Sequence, residues 1–296
     1  MSRWPDCLMN KSAEAKQITI KAALEAGSMK LQPMENTRLD AELILSHVLK
    51  VSRTLLYVNL EAKLLTSEEK LFDHLIEKRL SGIPTAYLTG SASFWSLDFK
   101  VGEGVLIPRP ETELLVEKSL EIIAECEQRV VADLGTGSGA IAGAISSEFP
   151  DARIIAVDNS EPAIRIAREN FENLQIKNIR CIVSDWNSAL ARSSISLIVC
   201  NPPYVSRNEM DLVDREVLAE PEQSIFAEDD GLFDLKRIIS TSAIYLKPDG
   251  YLIVEHGFLQ GERVRSLYKD AGFSSIETFK DLNKNERVTL GKKRTH

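Results

Sequence analysis

The chain has 296 residues, 44% hydrophobic and 27% charged, the balance of an ordinary globular protein, which excludes the disordered and fibrous classes. Its 36 basic and 44 acidic residues leave a net charge of −8, which argues against a sequence-independent grip on a phosphate backbone and favours protein or small-molecule partners. No apolar run approaches the ~20 residues of a membrane span and the first residues lack the apolar centre of a signal peptide, so a cytoplasmic protein with no membrane partner is expected.

The length exceeds that of a typical domain, so two domains are expected. Cys7, Cys126, Cys181 and Cys200 are scattered, with neither a paired spacing nor a nearby histidine pattern, and read as four reduced thiols and no metal site.

Residues 1 to 17 carry no clear hydrophobic period and read as a disordered leader. From Thr19 the pattern is helical: Ile20, Ala23 and Leu24 share a face, and Gly27 is expected to end the run. A second helix is predicted over Thr37 to Lys50, with Leu39, Leu43, Leu45, Val48 and Leu49 apolar. A third starts at Thr66, where Thr66-Ser67-Glu68-Glu69 has capping-box spacing, and continues through Leu71, Leu75 and Ile76 towards Leu80. Residues 18 to 81 thus read as a small helical bundle, in which His47 and His74 are structural or solvated rather than ligands.

Ser81-Gly82-Ile83-Pro84 breaks the helical pattern, and residues 82 to 105 read as a linker containing a β-hairpin, with Phe94 to Val101 alternating as a hairpin strand would. Next comes Ile107-Pro108-Arg109-Pro110-Glu111-Thr112-Glu113, extended by its prolines ahead of a helix carrying Leu114, Leu115, Ile122 and Ile123. Pro110 suits the first helical turn, and Glu111 and Glu113 suit its dipole.

From Val130 onward strand and helix alternate, the mark of an α/β fold with a doubly wound, mostly parallel sheet. The candidate strands are Val130 to Asp133, Arg153 to Val157, Arg180 to Val183, Ile195 to Cys200 and Tyr251 to Glu255. Two more, near Ser275 to Phe279 and Arg287 to Leu290, are expected to form an antiparallel hairpin at one edge, giving seven.

The first of these strands runs into Asp133-Leu134-Gly135-Thr136-Gly137-Ser138-Gly139-Ala140, whose glycines let the backbone turn sharply and approach a ligand beyond the carboxyl ends of the strands. Asp158 ends the second strand, placed to accept from two ribose hydroxyls. Asp185-Trp186 follows the third, offering an acceptor for an adenine amino group and an aromatic wall. Gly135-x-Gly137-x-x-Ala140 with a later aspartate also fits a dinucleotide fingerprint, so a nicotinamide-dependent dehydrogenase competes.

Two observations tilt the choice: the adenine pocket that Asp185-Trp186 offers and the end of the fourth strand. That strand ends in Asn201-Pro202-Pro203-Tyr204, and a Pro-Pro pair alone would mark only a strand end. Neither proline has an N–H, so the carbonyls of Asn201 and Pro202 and the Asn201 side-chain oxygen are available as a cage of acceptors for a planar –NH2 group, with Tyr204 as an aromatic face. Such a cage is machinery for an amine, not for hydride transfer, and favours an adenosyl methyl-donor cofactor.

These stretches together resemble class I S-adenosylmethionine-dependent methyltransferases acting on planar nitrogen. With Ile107-Pro108-Arg109-Pro110-Glu111-Thr112-Glu113 and the terminal Asn285-Glu286-Arg287-Val288-Thr289-Leu290-Gly291, the chain from about residue 20 to 292 resembles the HemK/PrmC family of release factor glutamine N5-methyltransferases. The resemblance implies a Rossmann-like seven-stranded methyltransferase domain over residues 106 to 296 and an N-terminal substrate-docking domain over 18 to 81; a monomer is expected, and the acidic charge balance leads to the expectation of no direct nucleic-acid partner. It implies S-adenosylmethionine as cofactor, S-adenosylhomocysteine as product, and the glutamine of the Gly-Gly-Gln motif of peptide chain release factors as substrate.

Carried residue by residue, it implies a cofactor site of Asp133, Gly135, Thr136, Gly137, Ser138, Gly139, Asp158, Asp185, Trp186 and Asn201. Asn201, Pro202, Pro203 and Tyr204 would bind the substrate, and Asn201, Pro202 and Tyr204 would serve catalysis. Three other activities share these motifs: ribosomal-protein glutamine methylation, against which Pro110-Glu111-Thr112-Glu113 argues; adenine-N6 methylation of nucleic acid, which needs a positive channel; and a scaffold without turnover, which would show a broken loop or cage.

Overall fold

The computed structural model describes residues 17–32 and 34–294; the expected leader of residues 1 to 17 lies outside these apart from Gln17. The chain divides into two compact units after Thr89.

Among the described residues, the first unit consists of α1 (Ile20–Lys30), α2 (Thr37–Leu49), α3 (Arg53–Val58), α4 (Thr66–Leu80) and α5 (Thr85–Thr89). Leu24, Ile44, Leu45, Leu56, Phe72 and Ile76 form its core. The buried Asp40 accepts from Arg79 Nε at 2.8 Å and from the Thr85 hydroxyl at 2.7 Å, tying α2, α4 and α5 together. His47 and His74 are exposed.

Three local expectations change. Gly27 does not end α1 but lies within it, because a Cβ there would sit 2.7 Å from the Phe72 ring; the glycine permits close packing rather than a stop. The cap of α4 falls one residue early and is one-sided: Glu68 Oε2 accepts Leu65 N at 2.9 Å, while the leucine side chain has no acceptor to return the bond, so Thr66 is already helical. Residues 85–89, inside the stretch read as linker, form α5; the short α3 was not legible because six residues carry too little period.

The second unit opens with β1 (Ser91–Phe94) and β2 (Leu97–Lys100), an antiparallel hairpin. Phe94 to Val101, read as one strand, instead spans the turn: Trp95 and Ser96 adopt positive φ of 51° and 60°, the conformation a two-residue hairpin loop requires. There follow α6 (Glu113–Ala124), β3 (Val130–Leu134), α7 (Ala140–Glu148), β4 (Arg153–Asp158), α8 (Glu161–Asn173), β5 (Ile179–Val183) and β6 (Ile195–Cys200). The remainder is β7 (Val205–Ser206), β8 (Phe226–Ala227), α9 (Glu228–Gly231), α10 (Phe233–Ser242), β9 (Leu246–Glu255), α11 (Gly261–Asp270), β10 (Phe273–Lys280) and β11 (Glu286–Lys293).

The main sheet has the order β10-β11-β9-β6-β3-β4-β5, parallel from β9 through β5, with β11 antiparallel between β9 and β10. Both faces of the central strands β3 and β6 are buried, as their continuous apolar runs demand. Val131, Leu197 and Val199 face α6, α7 and α8 with Leu115, Ile145 and Phe171. Ala132, Leu134, Ile198 and Cys200 face α10 and α11 with Leu235, Ile238 and Tyr268.

The chain leaves β3 towards β4 and β5, then returns to place β6 on the other side of β3. A crevice therefore opens beyond the carboxyl ends of β3 and β6, where ligands of doubly wound sheets bind. Among the described residues no helix is long and apolar enough to cross a membrane, and Cys126, Cys181 and Cys200 are free thiols.

Candidate active site

The glycine turn after β3 is held by its neighbours. Gly135 N and Thr136 N donate to Val157 O at 2.8 and 2.9 Å, and Gly137 N donates to Asp158 Oδ2 at 2.9 Å. Asp158 Oδ1 accepts Ser160 N at 2.9 Å, so both carboxylate oxygens are fixed at the start of α8. Burial raises the pKa of Asp158, against the backbone N–H groups of Ser160, Gly137 and Asn159. Asp133 is fully buried, with Oδ2 accepting the Thr136 hydroxyl at 2.7 Å and Ala142 N at 3.2 Å, and Oδ1 unpartnered. Burial pushes its pKa up to about 7, with Thr136 and Ala142 opposing and Asp158 adding to the rise.

Beyond this turn lies a cavity lined by Gly135, Gly137, Asp158, Trp186, Asn201 and Pro203, with the backbone strap Gly104 to Leu106 and Gln223-Ser224. At Gly137, φ is +55° and no protein atom lies within 4 Å of the position a Cβ would take, so a side chain would fill the cavity itself. An open cradle, a fixed carboxylate and an indole wall fit an adenosyl group.

Asp133, Thr136, Ser138 and Gly139 do not line the cavity. They support the turn from below: Asn170 Nδ2 donates to Ser138 O at 2.8 Å, and a Cβ at Gly139 would lie 2.6 Å from Phe171. Asp185 departs from the sequence reading. Its Oδ2 accepts Arg237 Nη2 at 2.6 Å on the surface, and Ser184 lines the cavity in its stead. The positive φ of Trp186, 43°, turns the chain so that the indole lies against Gly135 and its Nε1 donates to Asp234 at 3.2 Å.

A second cavity is lined by Arg109, Asn201, Pro202, Pro203, Tyr204 and Val217, among others. Asn201, Pro203, Leu106 and Ser224 line both cavities, so the two meet at the end of β6. Asn201 Nδ2 donates to Thr112 Oγ1 at 3.1 Å. Among the described residues no donor reaches Asn201 Oδ1 or the carbonyls of Asn201 and Pro202, so three acceptors remain open there.

Tyr204 donates its hydroxyl to Glu255 Oε1 at 3.0 Å, and burial together with that carboxylate raises its pKa, keeping the phenol neutral. The strap and the loop opposite are latched by Glu220, 4% exposed, which accepts Ile107 N at 2.8 Å and ion-pairs with Arg109.

A family model described as the methyltransferase small domain matches residues 110–233, and one described as the PrmC N-terminal domain matches residues 22–90. The release factor glutamine methyltransferase of Escherichia coli K12 is 44% identical over 262 residues, covering 88% of this chain and 94% of that protein. This chain belongs to the release factor glutamine methyltransferase family. The member from Shewanella oneidensis is 39% identical over 279 residues, covering 94% and 97% of the two chains. A methyltransferase from Pyrococcus furiosus, 15% identical, superposes with a TM-score of 0.52 over 69% of this chain and 92% of its own, which shows the shared fold.

Thr112, Glu220 and Glu255 were not singled out from sequence. Thr112 was absorbed into a helix start. Glu255 carried a usable signal, since it ends an apolar strand as Asp133 and Asp158 do near theirs.

Proposed function

We propose that this member of the family transfers a methyl group from S-adenosylmethionine to the side-chain amide nitrogen of the glutamine in the Gly-Gly-Gln motif of peptide chain release factors. The observation that carries the reading is the position of Asn201: it lines both cavities with its Oδ1 unpaired. The cavity over Gly137 and Asp158 takes the cofactor, with Trp186 as its wall, and the cavity along Pro202 to Tyr204 takes the glutamine.

An amide nitrogen is a weak nucleophile because its lone pair is delocalised into the carbonyl. When bound, the cofactor supplies an activated methyl group on a sulfonium. Asn201 Oδ1 and the Pro202 carbonyl accept the two N–H bonds of the glutamine amide, which aims the lone pair at the cofactor cavity and stabilises positive charge as it develops on nitrogen; with the N–CH3 bond formed, one of these two protons passes to water, leaving a neutral amide. Tyr204, neutral and held by Glu255, presents its ring to the carboxamide. The prolines give the chain no N–H with which to close the acceptors, so the cage stays open before substrate arrives. The helical first unit docks the protein substrate, and the acidic chain offers no charge complement to nucleic acid.

Mass spectrometry of a release factor incubated with the protein and S-adenosylmethionine tests the reading. One added methyl on the Gly-Gly-Gln glutamine is expected. An unmodified glutamine, with the label on another protein or on DNA, overturns it.

A further inference from the structure

The prolines that keep the acceptor cage open also leave its backbone short of anchors, because neither Pro202 nor Pro203 can donate. The anchoring falls on Tyr204, and it comes from the turn that follows β9. Gln260 Nε2 donates to Tyr204 O at 2.9 Å and to Asp230 O at 3.1 Å. Its Oε1 accepts Gly257 N at 2.9 Å, and Gln260 N donates to Gly257 O at 2.9 Å. Both N–H bonds and the oxygen of one carboxamide are therefore used, and the bond from Gly257 N prevents a half-turn from exchanging them.

Glu255, at the start of the same segment, accepts the Tyr204 hydroxyl at 3.0 Å. One stretch of chain, Glu255 to Gln260, thus holds Tyr204 at its carbonyl and at the far end of its ring. The Tyr204–Val205 peptide group is also gripped on its other edge, where Val205 N donates to Ile225 O at 3.0 Å. A peptide group is a rigid plane, so holding its oxygen and its N–H together fixes ψ at Tyr204.

The chain around α9 is shaped to meet this bridge. Asp229, Asp230 and Gly231 all take positive φ, of 57°, 52° and 78°. That turn brings Asp230 O to Gln260 and sets the bare Gly231 against Tyr204 O, where a Cβ would collide. Gln260 itself lines neither cavity.

We propose that Gln260 is a positioning residue for methyl transfer: it fixes the Tyr204 carbonyl and, with Glu255 on the hydroxyl, sets the ring that walls the substrate carboxamide. This rests on the reading of Tyr204 as that wall. The amide lone pair has to meet the methyl carbon in line, and a wall that shifts turns the carboxamide off that line.

The test measures single-turnover methyl transfer to an intact release factor, with calorimetry of cofactor binding, for Gln260→Glu, Gln260→Met, Tyr204→Leu and the double variant Tyr204→Leu with Gln260→Glu. Gln260→Glu keeps an acceptor for Gly257 N but turns an oxygen that cannot donate towards two carbonyls. Its transfer rate is expected to fall roughly 10- to 100-fold, the scale of a misplaced reacting group, with cofactor Kd unchanged. Tyr204→Leu is also slowed, and in that background Gln260→Glu changes the rate by less than about 3-fold, because the ring it sets is gone. A folded Gln260→Glu with the wild-type rate overturns the proposal, and so does an equal loss with and without the Tyr204 ring. If Gln260→Glu does not fold, Gln260→Met takes its place in the same comparison. Wild-type transfer in Tyr204→Leu removes the underlying reading as well, whereas a slow Tyr204→Leu beside fully active Gln260→Glu and Gln260→Met removes the positioning role alone.

Discussion

The backbone N–H of Gly137 donates to Asp158 Oδ2 at 2.9 Å, joining the glycine turn after β3 to the carboxylate that ends β4. The bond spans two adjacent parallel strands, so the shape of the turn and the aim of the carboxylate are fixed together before any ligand arrives.

Gly137→Val tests that turn as the cofactor cradle. Its φ of +55° disfavours a β-branched side chain, and the space beside it is cavity, not protein. Calorimetry is expected to show a cofactor Kd raised by at least about 100-fold, equivalent to about 2.7 kcal/mol. An unchanged Kd would place the cofactor elsewhere.

Asp133 gives the ligand-free protein a pH dependence whose sign follows from its burial. Its folded-state pKa is raised from 3.8 to about 7, so the folded chain holds the proton more tightly than the unfolded chain. Its contribution to stability is complete below about pH 4 and is lost as pH rises through about 7. Asp133→Asn can still accept from Thr136 and Ala142 but cannot ionise. Thermal melts of the ligand-free proteins should show the variant gaining on the wild type as pH rises, by at most about 4 kcal/mol once ionisation is complete. Parallel curves would mean that Asp133 ionises at its ordinary pKa.

The docking role of the first unit is tested at Val58, which is 72% exposed beside the half-exposed Tyr57. Exposed apolar side chains grouped on one short helix suit a protein partner. Val58→Asp should raise KM for the intact release factor by roughly 10-fold, a loss of about 1.4 kcal/mol, without changing kcat or cofactor Kd. Unchanged KM in this variant, and again after deletion of residues 1 to 85, would remove the docking role.

The central strands of the sheet were legible because they are continuous apolar runs closed by glycine or proline: Ile195–Cys200 is buried at every position, and the sequence read it without error. The hairpin turn at Trp95-Ser96 was not, since two bulky residues at positive φ carry none of the usual turn chemistry. Asp185 shows a different limit. Its place after β5 was correct, but whether its side chain faces the cavity or Arg237 depends on the backbone angle of the next residue and on α10, far along the chain. Thr112 and Asn201 lie 89 positions apart and mean little singly; only the fold brings the threonine hydroxyl to the carboxamide.

Single-turnover methyl transfer by Asn201→Ala, with cofactor binding measured on the same preparation, tests the acceptor cage most directly. The cage predicts a loss of about 100-fold or more in the transfer rate, the scale of losing a positioned oxyanion-type partner, while the cofactor still binds measurably. Transfer at the wild-type rate with the carboxamide removed would contradict it.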